Sequence, residues 1–203
     1  VQSLCGKAIY LSHGHLQMIA DVKDVIDIYL KNAQINKKNI NVAQMPRIAG
    51  GKDIRLLALD LFNENGDLST DFHFNNRMTM RFKFKILNNL HSYFAIEWTI
   101  CTTDGIKVAY GSSSPQNKFL FAPTDSEGCI ECILPNLPLT VGKYLINCLI
   151  SLPHQKRIDE VEAAAHFNVV TCDVYDTGFN IDYRLSLITI PARWSILNGA
   201  KAL

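Results

Sequence analysis

Nowhere in the 203 residues does a run of about 18 apolar side chains occur, so the sequence contains no helix long enough to span a membrane. Neither sign of charge prevails. Twenty basic residues stand against 19 acidic ones, and a net charge of +1 gives no general attraction to nucleic acid or to an anionic membrane. The six cysteines, Cys5, Cys101, Cys129, Cys132, Cys148 and Cys172, lack the dense spacing of a disulfide scaffold and read as reduced, buried thiols of a cytosolic protein. No basic segment precedes an apolar stretch near Val1, which reads as a fragment or processed chain without a secretory signal. The common catalytic signatures are missing as well. "AGGKD" at 49–53 lacks the strand and the Gly-x-x-x-x-Gly-Lys-Ser/Thr frame of a phosphate loop and reads as a turn. There is no Gly-x-Ser-x-Gly elbow and no His-Glu-x-x-His, and no catalytic, metal-binding or cofactor-binding residue is expected.

Three weaker signals have plain structural explanations. Cys129-Ile130-Glu131-Cys132 has the spacing of redox and zinc motifs, but it falls inside an apparent strand, where a separation of three sends the two thiols to opposite faces. His13 and His15 flank Gly14 in a turn with no carboxylate nearby, and His73, His91 and His154 read as loop residues. Glu97 and Glu131 are candidates for a hydrolase pair, a role that depends on a separation in space that sequence spacing does not fix.

What is present is an ordinary globular composition, 48% hydrophobic and 19% charged, sufficient for one good core and an appendage. "LCGKAIYLSHGHLQMIADVKDVIDIYLKN" reads as a strand at Ala8–Leu11, a turn, a return strand at Leu16–Ile19, and a helix from Asp21 to Lys31. Val22, Val25, Ile26, Tyr29 and Leu30 fall on one stripe of that helix. A hairpin and one short helix bury too little to stand alone, so a covering partner is expected. Residues 31–52, rich in Asn, Lys and Gln and ending in Pro46 and Gly50-Gly51, read as a linker. Beyond it the apolar period changes to two. Ile54–Asn63 and the residues from Leu68 flank an Asn65-Gly66 turn. Met78–Leu87 sets Met78, Met80, Phe82, Phe84 and Ile86 against Thr79, Arg81, Lys83 and Lys85. Tyr93–Thr102 turns Phe94, Ile96, Trp98 and Ile100 inward. Ile106–Ser112, Cys129–Leu134, the segment opening at Gly142, one or two strands in Val161–Tyr175, and Leu185–Leu197 complete about eight or nine strands. The pattern predicts an all-β, antiparallel two-sheet sandwich preceded by a short hairpin-helix piece.

The opening stretch resembles the last segment of an ABC-transporter ATPase domain, "RAIxLxxGxI" followed by a helix ending in "VxxxYL", with Lys7 in place of the Arg. A tail, a linker and a sandwich in this order resemble the Wzt-type ATPase subunits of O-antigen polysaccharide exporters. The sandwich fits through "IRLLALDLFNENGD", through the Leu-x-x-Gly-x-Tyr start of a strand in "LPLTVGKYLI", and through "ITIPARWSI" as a closing strand. The resemblance implies an ATPase tail over residues 1–31, a linker over 32–52, and an immunoglobulin-like carbohydrate-binding module over 53–203. It implies a non-enzymatic domain that reads the O-polysaccharide glycan, typically at a modified non-reducing end, for export. It also implies a homodimer through C-terminal strand exchange, association with a transmembrane exporter subunit through the ATPase domain, and a cytoplasmic location at the inner membrane. The alternative is an immunoglobulin-like protein-interaction domain, which would show an exposed apolar patch instead of a polar groove.

A sugar site needs polar groups for hydroxyls and an apolar platform for the ring. The polar sides of the strands offer Arg81, Lys83, Tyr93, Glu97, Thr99, Asn147 and His166 as carbohydrate-binding residues, while the phase of Trp98 assigns it to the core. Trp194 fits either role.

Overall fold

A computed structural model describes residues 5–12, 15–26, 28, 41–88, 93–114, 121 and 126–195. The chain divides into two units, Val1–Ile40 and Asn41–Leu203. In the first, β1 (Lys7–Ser12) pairs antiparallel with β2 (His15–Asp21), and a bulge falls between Tyr10 and Leu11. Ile9 faces Ile19 and Leu11 faces Leu16 across the hairpin, and all four side chains are exposed. Residues 22–26 are helical, with Val22 and Val25 buried. Ile28 is helical as well, while residues 27 and 29–31 of the expected helix, like His13 and His91, lie outside the described residues.

The second unit is a two-sheet sandwich. Its larger sheet runs β3 (Ala49–Gly50), β11 (Lys156–Thr171), β10 (Gly142–Leu152), β7 (Ala95–Thr102), β8 (Lys107–Ser112), and β5 (Asp71–His73) pairs parallel with the far end of β11. The smaller sheet is β4 (Ile54–Phe62), β6 (Met78–Ile86) and β9 (Glu127–Leu134). Period-two alternation makes the core: Met78, Met80, Phe82 and Phe84 of one sheet face Phe94, Ile96, Trp98, Ile100, Tyr144, Ile146 and Ile150 of the other, all buried. Phe84 meets Phe94 edge-on at 5.2 Å between ring centroids, and Tyr144 stacks on Phe167 at 5.4 Å.

The Leu-x-x-Gly-x-Tyr pattern has a physical basis. Leu139 plugs the core, and the Tyr144 hydroxyl donates back to the Thr140 carbonyl at 2.9 Å, the tyrosine corner of immunoglobulin-like sandwiches. A Cβ on Gly142 would come within 3.3 Å of that hydroxyl.

Three expectations differ from the structure. First, residues 41–52 are packed into the sandwich and do not form a tether. Val42 is buried, and Arg47 reaches Asp159, whose carboxylate is wholly buried, with Nε 3.0 Å from Oδ1. Arg47 also donates to the carbonyls of Val42 and Leu56, and Asp159 accepts the Leu56 N–H at 2.7 Å. Burial pushes the Asp159 carboxyl up and the Arg47 guanidinium down, and the charge of each opposes that shift in the other. Second, the expected return strand after Asn65-Gly66 shrinks to a single bridge, Phe62 to Leu68. The chain then crosses to the other sheet as β5, where Phe72 is buried edge-on against Phe167 at 5.7 Å. Third, no strand forms over residues 185–195, and residues 196–203 lie outside the described set. The free side of β11 is already taken by β3 and β5. The tail instead touches residues 138–141 through bridges at Asp182 and Ile188 and hydrogen bonds at Leu187 and Thr189, and then leaves with Ile190 and Trp194 exposed.

Candidate functional site

On the outer face of the larger sheet, β8, β7, β10 and β11 form a depression of about 580 Å³. The ladders bring its residues together in rungs. Tyr110 stands opposite Thr99 and Thr99 opposite Asn147; Glu97 stands opposite Leu149 and Leu149 opposite Glu160. These positions alternate with the buried set of each strand, so the packing that makes the core also turns them outward.

Glu97 is held from both sides. One carboxylate oxygen accepts the Ser151 hydroxyl at 2.6 Å, and the other accepts the Tyr110 hydroxyl at 2.8 Å. Desolvation pushes the Tyr110 hydroxyl above the ordinary tyrosine range, as does the neighbouring Glu97, so it remains a proton donor. Gly111 explains why the edge strand lies so close: a Cβ there would come within 2.2 Å of the Trp98 indole. On the opposite wall Arg157 pairs with Glu160 at 2.7 Å.

Asn147 has a different task. Glu162, Ala163 and Ala164 stand against Asn147 alone in a bulge between the paired residues Cys148–Val161 and Ile146–Ala165. Ala163 adopts a left-handed φ of 51°, and its N–H donates to Asn147 Oδ1 at 2.8 Å. The side-chain carbonyl replaces the lost ladder bond and supports the wall of the depression, so Asn147 is not a freely available surface residue.

The expected site residues therefore separate into groups. Glu97, Thr99 and Asn147 line the depression. His166 is on the same outer face, opposite Leu145, and Tyr93 is exposed just before β7; neither lines it. Arg81 and Lys83 are on the outer face of the smaller sheet, because β6 shares the alternation of β7 but not its sheet. There Arg81 pairs with Glu131 at 2.7 Å and covers the Phe62 ring, and Lys83 pairs with Asp60 at 2.8 Å. Sequence reasoning missed Tyr110, Ser151, Glu160 and Glu162. The outward phase of Tyr110 was available from Gly111, and Glu160 and Glu162 share the outward phase of His166, since Val161 and Ala165 on either side of the bulge face the same way.

Glu97 and Glu131 are on different sheets, so they form no hydrolytic pair. Cys129 is exposed opposite Lys83 and Cys132 turns inward opposite Met80, as their separation predicts. Cys5 and Cys129 are thus not buried, contrary to the sequence reading. Burial pushes the thiols of Cys101, Cys132, Cys148 and Cys172 up, which makes them poor nucleophiles. Among the described residues no group of three or more His, Cys, Asp or Glu is arranged to hold a metal ion, and no helix is long and apolar enough to cross a membrane.

Comparison with known proteins comes to the same architecture. The family profile described as the Wzt C-terminal domain matches residues 46–181. Among solved structures, the crystal structure of the C-terminal domain of Wzt superposes with a TM-score of 0.56 at 15% identity, covering 72% of this chain and 89% of that one. A protein described as a beta-galactosidase from Bacteroides fragilis aligns at 22% identity over 55% of this chain and 16% of its own, with a TM-score of 0.34. No curated protein matches significantly.

Proposed function

Because the chain belongs to the Wzt C-terminal domain family, we propose that its sandwich is a non-catalytic module that binds the O-antigen polysaccharide, at its modified non-reducing end, for export by an ABC transporter. The observation that supports this reading is the outer-face depression, where a carboxylate, hydroxyls and an exposed aromatic ring converge on one sheet. That is the mixture a sugar needs. The glycan lies across Glu97, Thr99 and Tyr110, with Asn147 supporting the wall and Tyr93 and His166 flanking the same sheet. Arg81 and Lys83, engaged in ion pairs on the other sheet, are the weaker candidates. The module works in the cytoplasm at the inner membrane, and it reaches the transmembrane exporter subunit through the ATPase portion whose tail the hairpin resembles.

A homodimer by exchange of the C-terminal segment belongs to the same proposal. In the described residues β9 has a neighbour on its β6 side alone, and the tail leaves its own chain with Ile190 and Trp194 exposed, Trp194 at 89%. The exposed Tyr175, Phe179 and Tyr183 extend this apolar surface, which a second copy would cover. The test of function is binding of purified chain to O-polysaccharide with intact and with trimmed termini. The reading requires binding to the intact glycan and loss on trimming, and equal binding to both would remove the terminus from it. The dimer is tested by ending the chain at Thr177: a truncated chain that still sediments as a stable dimer would place the interface elsewhere.

A further inference from the structure

The outer-face site also carries information on the charge of its ligand, an inference that rests on the carbohydrate-binding reading above. We propose that the depression is selective for an uncharged, hydroxyl-rich sugar, with Glu97 as the hydroxyl acceptor and Tyr110 as the ring platform, and that it rejects sugars bearing phosphate or carboxylate.

The partners of Glu97 are the first ground. Among the described residues its carboxylate has hydroxyl donors, Ser151 and Tyr110, and no cation within ion-pair distance. An ionised carboxylate offers roughly four acceptor positions. Two are filled by protein hydroxyls, which fix the rotamer and leave the remaining positions for hydroxyls arriving from solvent. A carboxylate fixed by neutral donors has no counter-charge beside it, so it favours groups that donate protons and opposes anions.

Tyr110 is the second ground. The residue is 62% exposed on an edge strand, yet its hydroxyl is tied to Glu97, so the ring is held in place before a ligand arrives. A preordered aromatic face loses little freedom on binding and suits the C–H face of a pyranose. Having given its proton to Glu97, the Tyr110 hydroxyl can only accept from a sugar, which adds a second preference for ligand donors.

The charge of the lining is the third. Three carboxylates, Glu97, Glu160 and Glu162, stand against Lys107 and Arg157, leaving the lining at −1. Arg157 is already committed to Glu160 at 2.7 Å. An anionic sugar would meet unneutralised carboxylate on both walls, at β7 and at β11.

The experiment uses the whole chain on an array of mannose, galactose and N-acetylglucosamine oligosaccharides whose non-reducing ends carry an uncharged modification such as an O-methyl group, and on the same oligosaccharides capped instead with phosphate or hexuronic acid. The expected result is binding to members of the neutral set, at least about tenfold weaker binding to their capped forms, and a loss of about tenfold or more for neutral sugars in Glu97→Gln. Tyr110→Ala should weaken neutral binding, while Tyr110→Phe should retain part of it. Glu160→Gln with Glu162→Gln should narrow the gap between neutral and capped sugars. Far-ultraviolet circular dichroism and Tm of each variant establish that it is folded. Capped sugars binding the parent chain as well as or better than neutral ones would overturn the charge selectivity while leaving the sugar site standing. Unchanged neutral binding in folded Glu97→Gln would remove Glu97 from its role. No binding to any array member or to O-polysaccharide would overturn the carbohydrate reading itself.

Discussion

Replacing Asn147 with alanine should destabilise the sandwich and impair the depression together, although the residue sits on the outer, polar side of its strand. Its side-chain carbonyl accepts the Ala163 N–H at 2.8 Å inside a β-bulge, where Ala163 is held at a φ of 51°. Truncation leaves that part-buried N–H without its acceptor, a loss of roughly 1–3 kcal/mol. A non-glycine residue in the left-handed region stores about 1–2 kcal/mol, and the bulge can relax part of that once its tether is gone. Together these predict a net loss of about 1–2 kcal/mol, or about 2–8 °C in Tm for a domain of this size. Thermal and urea unfolding measure the loss, and amide hydrogen exchange locates it, with faster exchange expected at Ala163 and its neighbours in β11. Glycan binding should weaken as well, because the bulge contains Glu162 and lies beside Glu160, both of which line the depression. An Asn147→Ala protein with unchanged Tm and unchanged exchange at Ala163 would refute this reasoning and return Asn147 to the status of a simple surface residue.

Tyr144→Phe removes the hydroxyl that the Thr140 carbonyl accepts at 2.9 Å and should cost about 1–2 kcal/mol by urea unfolding, with faster exchange at the Thr140 and Thr189 amides, which donate to the Leu187 and Pro138 carbonyls. Unaltered stability would mean the corner is decorative. Arg47→Met leaves the wholly buried Asp159 carboxyl without its guanidinium partner and should cost about 3–5 kcal/mol, whereas Arg47→Met with Asp159→Asn should cost less than the sum of the single changes; strict additivity in the unfolding data would contradict the coupling. The Asp173 carboxyl, held below the usual range first by the Thr177 N–H and also by the Gly178 N–H, has a folded value lower than its unfolded one. Its contribution to the 173–178 turn is therefore fully present above the unfolded carboxylate range, near about 3.9, and is lost as pH falls through the lower folded value. Amide shifts of Thr177 and Gly178 that titrate above about pH 4 would contradict this.

The core was legible in the sequence because each strand carries one clear period of two. Met78–Phe84 and Phe94–Ile100 are buried as their alternation requires, and "LPLTVGKYLI" announces a strand start whose tyrosine corner the structure displays. Sheet membership was not legible, since β6 and β7 alternate alike and nothing local says that one belongs to each sheet. For that reason Arg81 and Lys83 are separated from Glu97 and Thr99. The bulge in β11 was equally silent. An alanine, not a glycine or asparagine, occupies its left-handed position, and its stabilising partner, Asn147, lies 16 residues away in sequence. The tail misled because "ITIPARWSI" has strand-forming residues, whereas strand formation also requires a free edge, and the nearby side of β11 is occupied by β3 and β5.

The most direct test of the account is a titration of isotope-labelled chain with oligosaccharides released from the cognate O-polysaccharide, followed by amide chemical shifts. The account predicts that the perturbed amides cluster on the outer faces of β7, β8, β10 and β11, around Glu97, Thr99, Tyr110, Leu149 and Glu160. Perturbations confined to β4, β6 and β9, around Arg81 and Lys83, would contradict it and move the site to the other sheet.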